Sequence, residues 1–266
     1  MKQATTLAIE TKGQIEILSL DRPELNLVNP AMIEELTAYF AGLHQRLDVR
    51  VVILRGNGRA FCGGAELGSE AFAGAGSGRA QRQMAQQHRY SGVVRLMRNC
   101  PQPIIALLHG AACGAGFSFA LASDVRFAAP DTRLNAAYIR VGLGGCDMGS
   151  GYLLPRLVGL SIASELLLSG RFIGAERAKS VGLVSDIFPY EGLLDAGLDL
   201  ANDMLRAAPM GLRMTKETLN LAVDAPSLDA GIALEDRQQV LLSETDDHHE
   251  AVAAFRQRRA PTFHDR

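Results

Sequence analysis

The sequence predicts an α/β fold on a mostly parallel, buried sheet, and three observations carry that reading. First, VVILRG (residues 51–56) and IIALLHG (104–110) open with four and five consecutive apolar residues, the pattern of strands covered on both faces. Second, stretches with helical spacing separate the strand-like runs, as crossovers between parallel strands require. Third, strand signals fade after about Pro189 and leave a helical remainder.

The elements follow in chain order. LAIETKGQIEILSL alternates apolar and polar residues on both sides of Lys12-Gly13, which predicts a hairpin. Asn29 and Pro30 mark a helix start, with apolar residues recurring at Met32, Ile33, Leu36, Phe40 and Leu43. Residues 68–80 (GSEAFAGAGSGRA) are a low-complexity patch, either a plain surface loop or a lid over a pocket. QMAQQHRYSGVVRLMRNC is helical by spacing, and the apolar run FALASDVRFAA (119–129) also reads as helix. The tail ends in DDHHEAVAAFRQRRAPTF with a breaker at Ala260-Pro261. A boundary near 195–205 divides a core of residues 1–200 from a helical region of residues 201–266.

Composition excludes several classes. The 266 residues carry 27 Lys and Arg against 29 Asp and Glu, a net charge of −2 with no electrostatic footprint for nucleic acid. No stretch approaches the ~18 uninterrupted apolar residues of a membrane helix, and residues 1–10 hold no signal-peptide core, so a cytoplasmic location is expected. A chain of this length buries roughly three-quarters of its unfolded surface and needs neither disulfides nor metal. Cys62, Cys100, Cys113 and Cys146 are scattered without CxxC spacing and are expected as free, buried thiols. His248 and His249 are adjacent and diverge on a helix, so no metal site is expected. His109, at the end of an apolar strand, is expected as a buried, hydrogen-bonded imidazole.

Two glycine-rich turns follow the apolar strands: RGNGRAFCGGAEL (55–67) and HGAACGAGFS (109–118). Glycine permits close approach of the main chain to a ligand. Where the second turn enters a helix, the first N–H groups are unpaired and carry the positive end of the helix dipole. An anion or a polarised carbonyl oxygen fits there. Neither turn has the spacing of a phosphate loop or of GxGxxG, and tight strand-on-helix packing selects small residues too. A third stretch, VGLGGCDMGSGYLLPRLVG (141–159), contains Asp147, either a helix N-cap or a functional carboxylate.

Taken in order, LDRPELNLVNPAMIEEL, AFCGGAEL, PIIALLHGAACGAGFSFALASDVRFAAPDTRL, VGLGG…LPRLVG, LLLSGRFIGAERAKSVGLVSDIFP and AFRQRRAPTF resemble the crotonase (enoyl-CoA hydratase/isomerase) superfamily from end to end. The resemblance implies a crotonase-like spiral of ββα units, with a helical C-terminal region that builds homotrimers, often paired into hexamers. It implies an acyl-CoA thioester as substrate, with coenzyme A part of that substrate and no separate cofactor. The two main-chain N–H groups that grip the thioester oxygen match Ala65 and Ala115. The CoA-wrapping segments match residues 22–27, with Arg22, Leu25 and Leu27, and Gly63, Ala65, Glu66, Leu67 and Gly68. Gly114, Ala115 and Tyr138 complete the implied substrate contacts.

The chain departs from the hydratases at two positions. They carry glutamates where this sequence has Ser118 and Tyr138, a hydroxyl and a phenol that stay protonated near neutral pH. With one inserted residue (Gly145 or Cys146), Asp147 matches an aspartate of dienoyl-CoA isomerases and 4-chlorobenzoyl-CoA dehalogenases, a proton carrier in one and a nucleophile in the other. The implied activity is that of an isomerase or lyase of acyl-CoA metabolism working through an enolate. Asp147 is its proton carrier, and Tyr138 and Ser118 are polar pocket residues. The alternatives are a non-catalytic acyl-CoA-binding protein and a hydrolase of carbon–carbon bonds in cyclic diketones.

Overall fold

The computed structural model describes residues 6–67 and 78–266. It opens with the expected hairpin, β1 (Leu7–Lys12) antiparallel to β2 (Ile15–Leu20). Helix α1 (Pro30–Gly42) starts where the Asn29 side chain accepts from the Met32 N–H at 2.9 Å, and it buries Met32, Ile33, Leu36 and Phe40. Strand β3 (Val51–Gly56), helix α2 (Arg79–Asn99), strand β4 (Ile104–Leu108), the short β5 (Ala111–Cys113) and helix α3 (Ala115–Ala122) follow. Then come β6 (Val125–Ala128), β7 (Arg133–Asn135), α4 (Ser150–Val158), α5 (Leu160–Ser169), β8 (Ile173–Gly174), α6 (Ala175–Ser180) and β9 (Asp186–Ile187). The chain closes with α7 (Tyr190–Leu205), α8 (Pro209–Ala222), α9 (Leu228–Ser243) and α10 (Asp246–Gln257).

The main sheet runs β1-β2-β3-β4-β6-β9 and is parallel everywhere except at the hairpin. A second sheet, β5-β7-β8, starts from the turn after β4. The apolar strands are explained by burial on both faces. Val52, Leu54, Ile104, Ala106 and Leu108 join the core shared with α1, α2 and α3, while Val51, Ile53, Ile105 and Leu107 pack under Leu193 and Ala201 of α7. Helix α7 crosses the expected boundary while covering the sheet. Beyond it, buried Lys216 of α8 donates to the Met97 and Gln102 carbonyls and pairs with Asp124 at 2.9 Å.

Two expectations are corrected. The run 119–129 is helical only as far as Ala122, and residues 125–128 form a strand beside β4. Asp124 makes the switch: its carboxylate accepts from the Ile104 N–H at 2.8 Å and its own N–H donates to the Ile104 carbonyl at 2.9 Å. Pairing with a buried neighbouring strand thus overrides local helical spacing. Cys62, Cys100 and Cys113 are free and buried as expected, but Cys146 is exposed on the loop before α4. His109 is buried and hydrogen-bonded to the Gly58 carbonyl at 3.1 Å. No described helix is long and apolar enough to cross a membrane.

Candidate active site

The site begins where the two glycine turns meet. Asn26 is fully buried and donates to the carbonyls of Asn57 (2.7 Å) and Ala60 (2.9 Å), which pins the chain leaving β3. That chain then pairs with β5: the Cys62 N–H donates to the Ala111 carbonyl and the Cys113 N–H to the Cys62 carbonyl, both at 2.9 Å. The contact leaves no room for side chains. A Cβ on Gly64, whose φ is +104°, would sit 3.0 Å from the Cys113 carbonyl oxygen, and one on Gly116 would sit 2.5 Å from that of Cys62.

This packing brings Ala65 and Ala115 to one cleft. Around Ala65, the Val28 N–H donates to the Gly64 carbonyl and the Glu66 N–H to the Val28 carbonyl. Those bonds use the neighbours of Ala65, so its own N–H points to the opposite side. Ala115 is the first residue of α3, where the helix supplies no acceptor. Neither N–H has a main-chain acceptor among the described residues, and both residues line the same cleft, as do Gly63, Gly64 and Gly114.

Beside them lie hydroxyls. Tyr138 sits in a single-turn helical stretch, Ala137–Val141, and its phenol reaches Ser118 Oγ at 2.6 Å and donates to the Gly114 carbonyl at 3.0 Å. Ser118 Oγ is in turn 3.3 Å from the Asp147 carbonyl oxygen. Two hydroxyl protons are therefore strung between two carbonyl acceptors. Burial raises the Tyr138 pKa well above that of an ordinary phenol, so it stays neutral. Tyr138 lines the cleft, whereas Ser118 is fully buried behind it.

Asp147 is half-buried on the cleft wall. Its Oδ1 accepts from the Met148 N–H at 2.7 Å and from the Gln87 side-chain amide, while no described residue hydrogen-bonds to Oδ2. It does not cap α4: the capping residue is Gly149, which makes no side-chain bond. Instead Ser150 Oγ accepts from the Asp147 N–H at 3.0 Å, and positive φ at Met148 (45°) and Gly149 (84°) bends the chain between the carboxylate and the helix.

The implied CoA-wrapping segments run side by side. The Gly63 N–H donates to the Leu25 carbonyl at 2.7 Å, and a Cβ on Gly63 would sit 3.0 Å from the Leu27 side chain. Arg22 pairs with Glu66 at 3.2 Å and donates to the Leu27 carbonyl, while Leu25 and Leu67 are exposed. Gly68 lies outside the described residues, as does most of the low-complexity patch. The sequence reading missed one wall altogether: Gln83, Gln86, Gln87 and Tyr90 of α2 face the cleft at positions i, i+3, i+4 and i+7. Their polar stripe was legible, but a solvent-facing stripe looks the same.

Known proteins are similar to this chain along its length. The model of the family described as enoyl-CoA hydratase/isomerase matches residues 10–266. A probable enoyl-CoA hydratase of Mycobacterium bovis is 36% identical over 258 residues, covering 96% of this chain and 90% of that protein. The 1,2-epoxyphenylacetyl-CoA isomerase of Escherichia coli is 32% identical over 247 residues, 92% of this chain and 93% of that one. The crystal structure of an enoyl-CoA hydratase from Bacillus anthracis matches with a TM-score of 0.92 at 28% identity, covering 98% of this chain and 100% of that one. Because the match runs through both glycine turns and on through the terminal helices, the chain belongs to the enoyl-CoA hydratase/isomerase family and adopts its crotonase-like fold.

Proposed function

We propose that this protein is an isomerase-like enzyme that moves a proton on an acyl-CoA thioester through an enolate, and does not add water. One observation carries the reading. The positions that the resemblance assigns to hydratase glutamates hold two hydroxyls 2.6 Å apart, tied to main-chain carbonyls, so neither is a base for water.

In this reading the Ala65 and Ala115 N–H groups receive the thioester oxygen. Preorganised donors of that kind lower the cost of an enolate by several kcal/mol. Asp147 Oδ2 takes the proton from the carbon next to the thioester as the C–H electron pair moves into the enolate. The same carboxylic acid then returns the proton to another carbon of the conjugated system, leaving the thioester intact. Gln87 holds Asp147 Oδ1 and so positions Oδ2. Tyr138 supplies a neutral polar wall, and Ser118 fixes the phenol from behind. Arg22, Glu66, Leu25, Leu27 and Leu67 border the path of the CoA moiety, which arrives as part of the substrate in the cytoplasm. Leu219, Val223, Ile232, Val240 and Leu241 are all exposed on α8, the segment after it and α9, and the proposal gives them a homotrimeric or hexameric interface.

The test is exchange in heavy water. The protein should catalyse deuterium uptake next to the thioester of a saturated acyl-CoA while leaving crotonyl-CoA unhydrated. Rapid formation of 3-hydroxybutyryl-CoA overturns the reading. Acyl-CoA binding without exchange would identify a non-catalytic binding protein.

A further inference from the structure

The α2 wall of the cleft is chemically unlike a channel for an alkyl chain. It presents three carboxamides, Gln83, Gln86 and Gln87, on one helix face. Gln87 is committed to Asp147, but the Gln86 side-chain nitrogen is buried and has no hydrogen-bond partner among the described residues. A buried, unfilled N–H donor is costly, and an acceptor atom arriving in the cleft that Gln86 lines would relieve it. The charge balance narrows the acceptor. Asp147 is the only charged residue among the described lining residues, and no lysine or arginine is there to neutralise a second carboxylate. An anionic acyl terminus would meet like charge in a partly desolvated cleft.

We infer that the enzyme selects acyl-CoA thioesters whose acyl chain carries an uncharged oxygen, a hydroxyl or a ketone, which accepts from Gln86. Such a group fills the vacant donor, and a hydroxyl can also donate towards the free oxygen of Asp147. A plain alkyl chain leaves Gln86 unfilled, and a site built around a polar partner discriminates against the analogue that lacks it. The inference rests on the reading of the cleft as an acyl-CoA site and names what that site prefers.

The experiment is calorimetric titration of the full-length protein with a six-carbon series. The series comprises hexanoyl-CoA, its 4-, 5- and 6-hydroxy and 4- and 5-oxo derivatives, and adipyl-CoA. At least one hydroxy or oxo thioester should bind about tenfold more tightly than hexanoyl-CoA, with adipyl-CoA the weakest. Gln86→Leu, similar in size and on a partly exposed helix face, should erase that preference and bind hexanoyl-CoA at least as well as the parent. Gln81→Leu, exposed on the same helix and not among the cleft-lining residues, serves as the matched control and should keep it. Equal binding of the whole series, preference for adipyl-CoA, or an unchanged preference in Gln86→Leu overturns the inference while leaving the acyl-CoA reading intact. Binding of none of the thioesters overturns both.

Discussion

The two halves of the cleft are built by different means. On one side, the turns around Gly64 and Gly116 present main-chain N–H groups, and close packing against Cys62 and Cys113 dictates their position. Beside them, Tyr138 and Asp147 line the cleft with side chains, and Ser118 holds the phenol from behind. The first half is a property of the fold and the second a property of individual residues. In the proposed reading the main-chain half can stay while the side-chain half changes, and this chain has a hydroxyl pair where the resemblance implies carboxylates.

The largest expected effect breaks the side-chain half. General acid–base groups contribute about 10²–10⁴-fold in rate, so Asp147→Asn should remove nearly all deuterium exchange while acyl-CoA affinity by calorimetry stays close to that of the parent. Unchanged exchange in this variant would reduce Asp147 to a structural residue. Next comes the main-chain half. Gly116→Val places a Cβ where the Cys62 carbonyl oxygen stands 2.5 Å away and so pushes the two turns apart. Exchange should fall by about 10²–10³, the scale of a lost oxyanion donor, together with a lower melting temperature.

A smaller effect sharpens the contrast through pH. Burial raises the Tyr138 pKa above its unfolded value near 10. The neutral phenol's contribution to stability is thus complete below about pH 10. It is lost as pH rises above that, because the unfolded chain then ionises while the folded one resists. Tyr138→Phe should flatten part of the fall in melting temperature between about pH 10 and 11, and a curve parallel to the parent's would sink the argument. The smallest effect tests whether the main chain alone is the donor. Ala115→Gly keeps the N–H, so exchange should be nearly unchanged and the cost in stability at most ~1 kcal/mol.

Local signals foretold much of this molecule. The consecutive apolar residues that open β3 and fill β4 announced strands buried on both faces, and Asn29-Pro30 announced the start of α1. The glycine turns announced main chain in close contact, and the fading of strand signals announced the terminal helices. Each is written over a few adjacent residues, because burial periodicity, capping and backbone freedom are local properties. The short-range reading failed where a distant partner decided the outcome. Residues 125–128 are a strand only because β4 lies beside them, and Cys146 is exposed only because the loop before α4 leaves the surface uncovered there.

The sequence by itself determined the α/β class, the hairpin, the glycine turns and the identity of the hydroxyls and carboxylate. Only the tertiary structure decided which of these share a cleft. It turned the Ala65 N–H away from Val28, set Ser118 behind Tyr138, freed Asp147 from the helix end and brought the glutamines of α2 to the wall. The physical reason is distance along the chain. Gly64, Gln86, Gly114 and Asp147 are separated by stretches of more than twenty residues, and no local pattern records an approach that only the packed core enforces.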